Sequence, residues 1–243
     1  MSYQESLILD KINNSGKKSI EAEWLLQVYS PNLSIDLKNS LAERIGILSQ
    51  EGWRLIKLLI KKYGVQAELI HAAGICHQPE ARDWLLELIK SDDQFILEAL
   101  NALKCWGGYL SKKFLKKLLS DPQESKQLAG LELLKFKAYQ LSDAELLNLT
   151  EELLKHCSDN VMISTIKILQ RRDSLDICNQ LVKVAKTGSN TVVHACLIAL
   201  GAIATESSYA GLIKLQKELP VERLRNQASK QINHQYRVNL DAT

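Results

Sequence analysis

Two interleaved series of residues constrain this chain more than anything else in it. Ala99, Gly130, Thr165 and Cys196 form one series, and Leu103, Leu134, Leu169 and Leu200 the other. Both advance by 31, 35 and 31 residues, and the two stay four residues apart throughout. Residues four apart share a helix face, so each small residue lies one turn from a leucine. That pairing lets a neighbouring helix approach closely. A repeat of this length, with room for two helices, predicts an α-solenoid in which each helix pair completes the core of the next.

The helices can be placed one pair at a time. The clearest copy is 191–219, TVVHACLIALGAIATESSYAGLIKLQKEL, where two amphipathic helices are expected to join at Gly201 and a Ser/Thr-rich turn. Leu37, Leu41, Ile45 and Leu48 mark an earlier first helix by their spacing, and Trp53, Ile56, Leu59 and Ile60 its partner. Further pairs are expected at 66–75 with 79–90, 93–106 with 111–120, 122–138 with 142–155, 159–171 with 173–186 and 190–203 with 207–219. Pro79 suits the first turn of its helix, where a missing N–H costs nothing. Asp121 to Glu124 and Ser142 to Glu145 both read as capping boxes. Residues 2–14 and 19–30, parted at Ser15-Gly16 with Ser19 as an N-cap, read as an opening cap. A last helix over 220–235 covers the far end. The expected organisation is an N-terminal cap (1–33), a repeat array (34–220) and a C-terminal cap helix and tail (221–243). The fold class is all-α, a right-handed α-solenoid with helical caps.

Composition narrows the class further. The chain is 46% hydrophobic and 24% charged with only 4 Pro, which describes an ordered, soluble protein. No apolar run reaches the ~20 residues of a membrane span, and the first residues lack the pattern of a secretory signal. The five cysteines are widely spaced and mostly set among apolar neighbours, pointing to a reducing, cytoplasmic setting. A net charge of +3 argues against nucleic acid as the partner. One local excess exists: Lys104, Lys112, Lys113, Lys116 and Lys117 occur without an intervening acid.

Val193, Ala195, Ala199, Leu200, Gly201 and Ile203, and more loosely Ala72, Gly74, Ile75, Pro79, Glu80, Ala81, Leu85 and Leu86, resemble the HEAT-like repeats of the cyanobacterial phycobilisome-lyase type. His194 and Ala204-Thr205 depart from that pattern, at an Arg position and at a Gly-Asp turn respectively. The resemblance implies a HEAT fold. It also implies, for some members, attachment of an open-chain tetrapyrrole to phycobiliprotein cysteines, or a role in phycobilisome assembly or breakdown; others are adaptors. It transfers no catalytic residue.

The residues themselves offer binding candidates and no catalytic set. Trp84, Trp106 and Tyr109 sit at second helices or adjacent turns, the elements that line the concave side of such arrays; an exposed Trp or Tyr there would anchor a partner. Cys76 and Cys105 close first helices in consecutive pairs, so the two thiols are expected along one edge, too far apart for a disulfide. Lys112, Lys113, Lys116 and Lys117 flank an apolar seam and suit an acidic surface or propionates. The pairs Cys76-His77, His156-Cys157 and His194-x-Cys196 lack zinc spacing, so no metal is expected. Nor does any phosphate loop or nucleophile elbow occur.

The function that follows is a non-catalytic protein–protein interaction scaffold or adaptor without a cofactor of its own. A phycobilin lyase or phycobilisome-associated chaperone, with phycobilin as a transferred ligand and a phycobiliprotein or second HEAT-like chain as partner, is the first alternative. An iron–sulfur assembly adaptor, from the cysteine edge, and a DNA-alkylation-type glycosylase, from Arg82, Asp83 and Trp84, are the others.

Overall fold

A computed structural model describes residues 3–14, 20–91 and 94–240, with only the backbone of His156 and of 236–240. The expected break at Ser15-Gly16, the Ser19 cap and the start of a helix at residue 93 lie outside the described residues. Those described are helical with no strand. None of the helices is long and apolar enough to cross a membrane. The chain divides into two compact units, one ending at Tyr109 and one beginning at Leu110.

The first unit holds α1 (Tyr3–Asn14), α2 (Ala22–Val28), α3 (Ile35–Ile47), α4 (Gln50–Tyr63), α5 (Ala67–Ile75), α6 (Pro79–Lys90), α7 (Ile96–Ala102) and a 3₁₀ segment, Leu103–Tyr109. First helices α1, α3, α5 and α7 pack in sequence as one layer. Their partners form a second layer, in which α2 meets α4, and α4 meets α6 through Trp53 and Trp84, rings 5.8 Å apart. The layers join through leucine and isoleucine, with Leu37, Leu41, Ile45, Leu55, Ile56 and Leu59 fully buried. Complete burial of each such side chain is worth about 1.5–3 kcal/mol. One carboxylate is enclosed with them: Glu68 accepts from the Tyr29 hydroxyl at 3.0 Å and pairs with Lys38 at 3.1 Å. Burial, followed by the Glu68 charge, pushes the Tyr29 phenol far above its ordinary range.

The second unit holds α8 (Lys112–Leu119), α9 (Glu124–Lys137), a 3₁₀ turn (Ala138–Gln140), α10 (Asp143–Thr150), α11 (Leu153–His156), α12 (Asp159–Leu169), α13 (Leu175–Thr187), α14 (Asn190–Ile203), α15 (Glu206–Glu218) and α16 (Glu222–Leu240). Helices α9, α12, α14 and α16 form one layer, and α8, α10, α13 and α15 the other. Within each unit the HEAT-like helix-pair architecture therefore holds. The eight residues of the two periodic series are all buried, on α7, α9, α12 and α14 or, for Leu103, in the 3₁₀ segment after α7.

A hydroxyl ladder sets the register of the first-helix layer. Ser158 caps α12 by accepting from the Val161 N–H, and donates its own proton to Glu124, the first residue of α9, at 2.8 Å. Ser189 repeats the arrangement one helix on, accepting from the Val192 N–H and donating to Asp159, the first residue of α12, at 2.6 Å. Each cap satisfies an orphan N–H of its own helix and ties that helix to the one before. Hydroxyls of Ser189 and Thr191 hold the Asp159 carboxyl below the usual carboxylate range.

Several boundaries differ from the sequence expectation. Residues 93–106 do not form one helix: α7 ends at Ala102 and tightens into the 3₁₀ segment, which runs through Gly107-Gly108. The helix expected over 142–155 is interrupted after Thr150, whose hydroxyl bonds back to Leu146 O at 2.9 Å. Ser142 and Glu145 form the expected capping box. Asp121 caps no helix: its carboxylate accepts from the Gln123 N–H, and α9 starts at Glu124. Gly201 is no joint either; it lies inside α14, and the turn is made by left-handed Ala204 and by Thr205, which caps α15.

Candidate functional site

On the outer side of the first-helix layer of the second unit, the faces left over from core packing form a groove of about 710 Å³. Its floor crosses four successive helices. Helix α9 contributes Lys135; α12 and the turn after it contribute Ile163, Ile166, Lys167, Gln170 and Arg171. From α14 come Asn190, Thr191, His194, Ala195 and Ile198, and from the start of α16 Arg223, Leu224 and Gln227, preceded by Val221. The helical repeat explains the line-up: 163 and 167 share one face of α12, and 190, 194 and 198 one face of α14.

The chemistry is lopsided. Four permanent cations and one histidine line the groove, with no carboxylate among them. Lys135 is paired with Glu132, and Arg171 donates to the Tyr139 hydroxyl at 3.0 Å. Among the described residues Lys167, Arg223 and His194 have no acidic partner. Between the cations the surface is apolar: Ile198 is 43% exposed and Val221 37%. Such a surface suits a ligand with both carboxylates and apolar groups. Among the described residues, no three His, Cys, Asp or Glu side chains are placed to hold a metal ion.

The residues singled out in the sequence are distributed differently. Trp106 is buried, with His77 at 4.9 Å and Tyr109 at 6.1 Å from ring to ring and Arg82 over its face at 5.6 Å. It is therefore no exposed anchor. The 3₁₀ segment turns with about 3.0 rather than 3.6 residues per turn, which directs Trp106 elsewhere than a continued helix would. Its Nε1 has no hydrogen-bond partner among the described residues. Trp84 is half-buried against Trp53, and Tyr109 is 76% exposed.

The expected edge of two thiols does not form. Cys105 is exposed, whereas Cys76 is buried and donates to Ala73 O at 3.2 Å; burial pushes that thiol upward. Lys112, Lys113, Lys116 and Lys117 are all exposed on α8. Lys112 pairs with Glu145, which Lys112 and then Ser142 hold at about 2. Lys112, Lys113 and Lys116 also rim a shallow depression of about 490 Å³ with Ala144 and Leu149. The aromatic residues and Cys76 and Cys105 belong to the first unit, the lysines to the second.

The groove itself escaped the sequence reading: a single stripe such as Asn190-His194-Ile198, opposite the buried periodic residues of α14, contains only a fragment of it.

No protein-family model and no curated protein matches the chain. Among solved structures it is similar to human deoxyhypusine hydroxylase in complex with glycerol, at 17% identity and a TM-score of 0.43, over 96% of this chain and 99% of that one.

Proposed function

We propose that this chain is a non-catalytic protein-interaction scaffold, and that the groove over α9, α12, α14 and α16 receives an acidic, partly apolar segment of a partner protein. The observation that carries the reading is the lining: four cations and a histidine around exposed isoleucine and valine, with no carboxylate. Charge of one sign in a concave surface raises the local concentration of its opposite and suppresses like-charged competitors, while the apolar floor supplies the burial that holds a partner once it arrives. Exposed lysines on α8 extend the preference for acidic partners to the opposite layer.

The test is affinity capture at low salt with the intact chain and with a Lys167→Glu/Arg171→Glu/Arg223→Glu variant shown by circular dichroism to be folded. The reading expects an acidic protein held in stoichiometric amount by the parent chain, released by salt and lost in the variant. A partner held equally by both would overturn it. The same volume and cations also suit an open-chain tetrapyrrole with its propionates, the ligand implied by the phycobilisome-lyase resemblance. That second reading expects visible absorbance in the captured complex and its loss in the same variant.

A further inference from the structure

The dimensions of the groove say how a segment would lie in it, granted the reading that an acidic segment binds there. Packed helices stand about 8–10 Å apart, so a floor crossing four of them runs about 24–30 Å. Spread over that length, the roughly 1600 Å³ of empty space in and just above the groove leaves a cross-section of about 53–67 Å², or roughly 7–8 Å on a side. An α-helix with its side chains is about 10–12 Å across and would rest on the rim, leaving the floor unfilled. An extended chain fits: strands lie side by side at about 4.7–4.9 Å, and about eight residues at ~3.3 Å each span the length.

A second observation bears on the main chain of such a segment. Gln170, Asn190 and Gln227 line the groove from three successive helices, and none of their side-chain amides has a hydrogen-bond partner among the described residues. A primary amide both donates and accepts, the complement of a peptide unit. Ala195, with a single side-chain carbon, lies among them on α14 and leaves room for a backbone to pass. From these features we infer that the groove takes its partner segment in extended conformation, its peptide groups bonded by Gln170, Asn190 and Gln227 and its carboxylates paired with Lys167, Arg171 and Arg223.

The experiment is selection of a randomised peptide library, each member about twelve residues and so longer than the groove at ~3.3 Å per residue, on the intact chain. Extended binding places groove-facing acidic and apolar residues at every second position. The best selected peptide is then expected to lose affinity about three- to tenfold when a groove-facing peptide nitrogen is methylated, and similarly against Gln170→Leu or Gln227→Leu chains, the scale of one net hydrogen bond. Selection at i, i+3, i+4 and i+7 with helical circular dichroism of the bound peptide, or indifference to methylation, would overturn the extended mode and leave the acidic-partner reading intact. Selected peptides without acidic enrichment, or bound equally by the Lys167→Glu/Arg171→Glu chain, would overturn that underlying reading instead.

Discussion

Replacing Gly74 by alanine tests whether close approach of first helices governs the fold of the first unit. A Cβ built on Gly74 in α5 stands 2.5 Å from the Ala102 carbonyl oxygen and 3.0 Å from Ala102 C and Cα in α7. Carbon and oxygen settle at about 3.3–3.6 Å even in a favourable contact, so the helices must part by most of an ångström. The obstacle is backbone, with no rotamer to relieve it. Overpacking of this kind costs about 1–3 kcal/mol, and alanine returns up to about 1 kcal/mol through helix propensity. The net expectation is a loss of about 1–2 kcal/mol, or about 5–10 °C in the melting of a unit this size.

Because the chain has two units, a global melt need not be two-state. Hydrogen exchange followed on α5 and α7 peptides is the cleaner assay, with faster exchange expected there. Gly130→Ala serves as comparator: its Cβ would meet Leu118 Cβ at 3.0 Å and Leu119 Cδ2 at 3.2 Å; the Leu119 methyl can turn away and α8 need give by only a few tenths of an ångström, so its effect is expected to be smaller than that of Gly74→Ala. A Gly74→Ala chain as protected as the parent over α5 and α7 would refute the reasoning.

Other perturbations follow from single features. Ala204 closes α14 at φ 53°, a conformation that glycine adopts without the Cβ penalty, so Ala204→Gly should raise stability by about 0.5–1 kcal/mol in chemical denaturation, and Ala204→Val should lower it. Lys38→Met leaves the buried Glu68 carboxylate without its ion-pair partner and should cost about 3 kcal/mol, much of it restored by adding Glu68→Gln. A thiol-specific disulfide reagent should modify Cys105 in the native protein, and Cys76, Cys178 and Cys196 only on unfolding. Burial pushes Cys196 from 9.0 up to about 12. Its neutral-thiol contribution is therefore complete below about pH 9 and lost as pH rises towards 12, which an alkaline stability profile of Cys196→Ala against parent would register. Glu145, held at about 2 chiefly by Lys112, makes its contribution above the ordinary value of 4.5 and loses it as pH falls towards 2. In a Lys112→Ala chain its carboxyl should titrate closer to 4.5 by NMR.

How much of this was legible in the sequence depended on whether a residue's role was set within one helix or by several. The series through Leu103, Leu134, Leu169 and Leu200 reports packing that every repeat must solve, and all four are fully buried. Ser142 and Glu145 were readable because a capping box is complete within four residues. The burial of Trp106 was left open because its direction depends on a 3₁₀ turn that no apolar spacing announces, and that of Cys76 because it depends on the neighbours that close over it. The groove was invisible for another reason. Its residues run from Lys135 to Gln227, and what aligns them is the stacking of four helices, a property no single stripe contains. A cation facing outward from one helix looks like ordinary solvated surface until its neighbours are in place.

The hydroxyl ladder bears on how the chain reaches its fold. Ser158 meets Glu124 across 34 residues, Ser189 meets Asp159 across 30, and Gln235 meets Leu200 across 35. These ties join a repeat to its immediate neighbour, so loops closed during folding stay short and their entropic cost grows little with chain length. Chains rich in such near-neighbour contacts fold quickly. During synthesis, at about 5–20 residues per second, α12 and α14 each emerge with their docking carboxylate, Glu124 or Asp159, already displayed on the helix before. Growth from the amino-terminal side then needs no sequence still inside the ribosome.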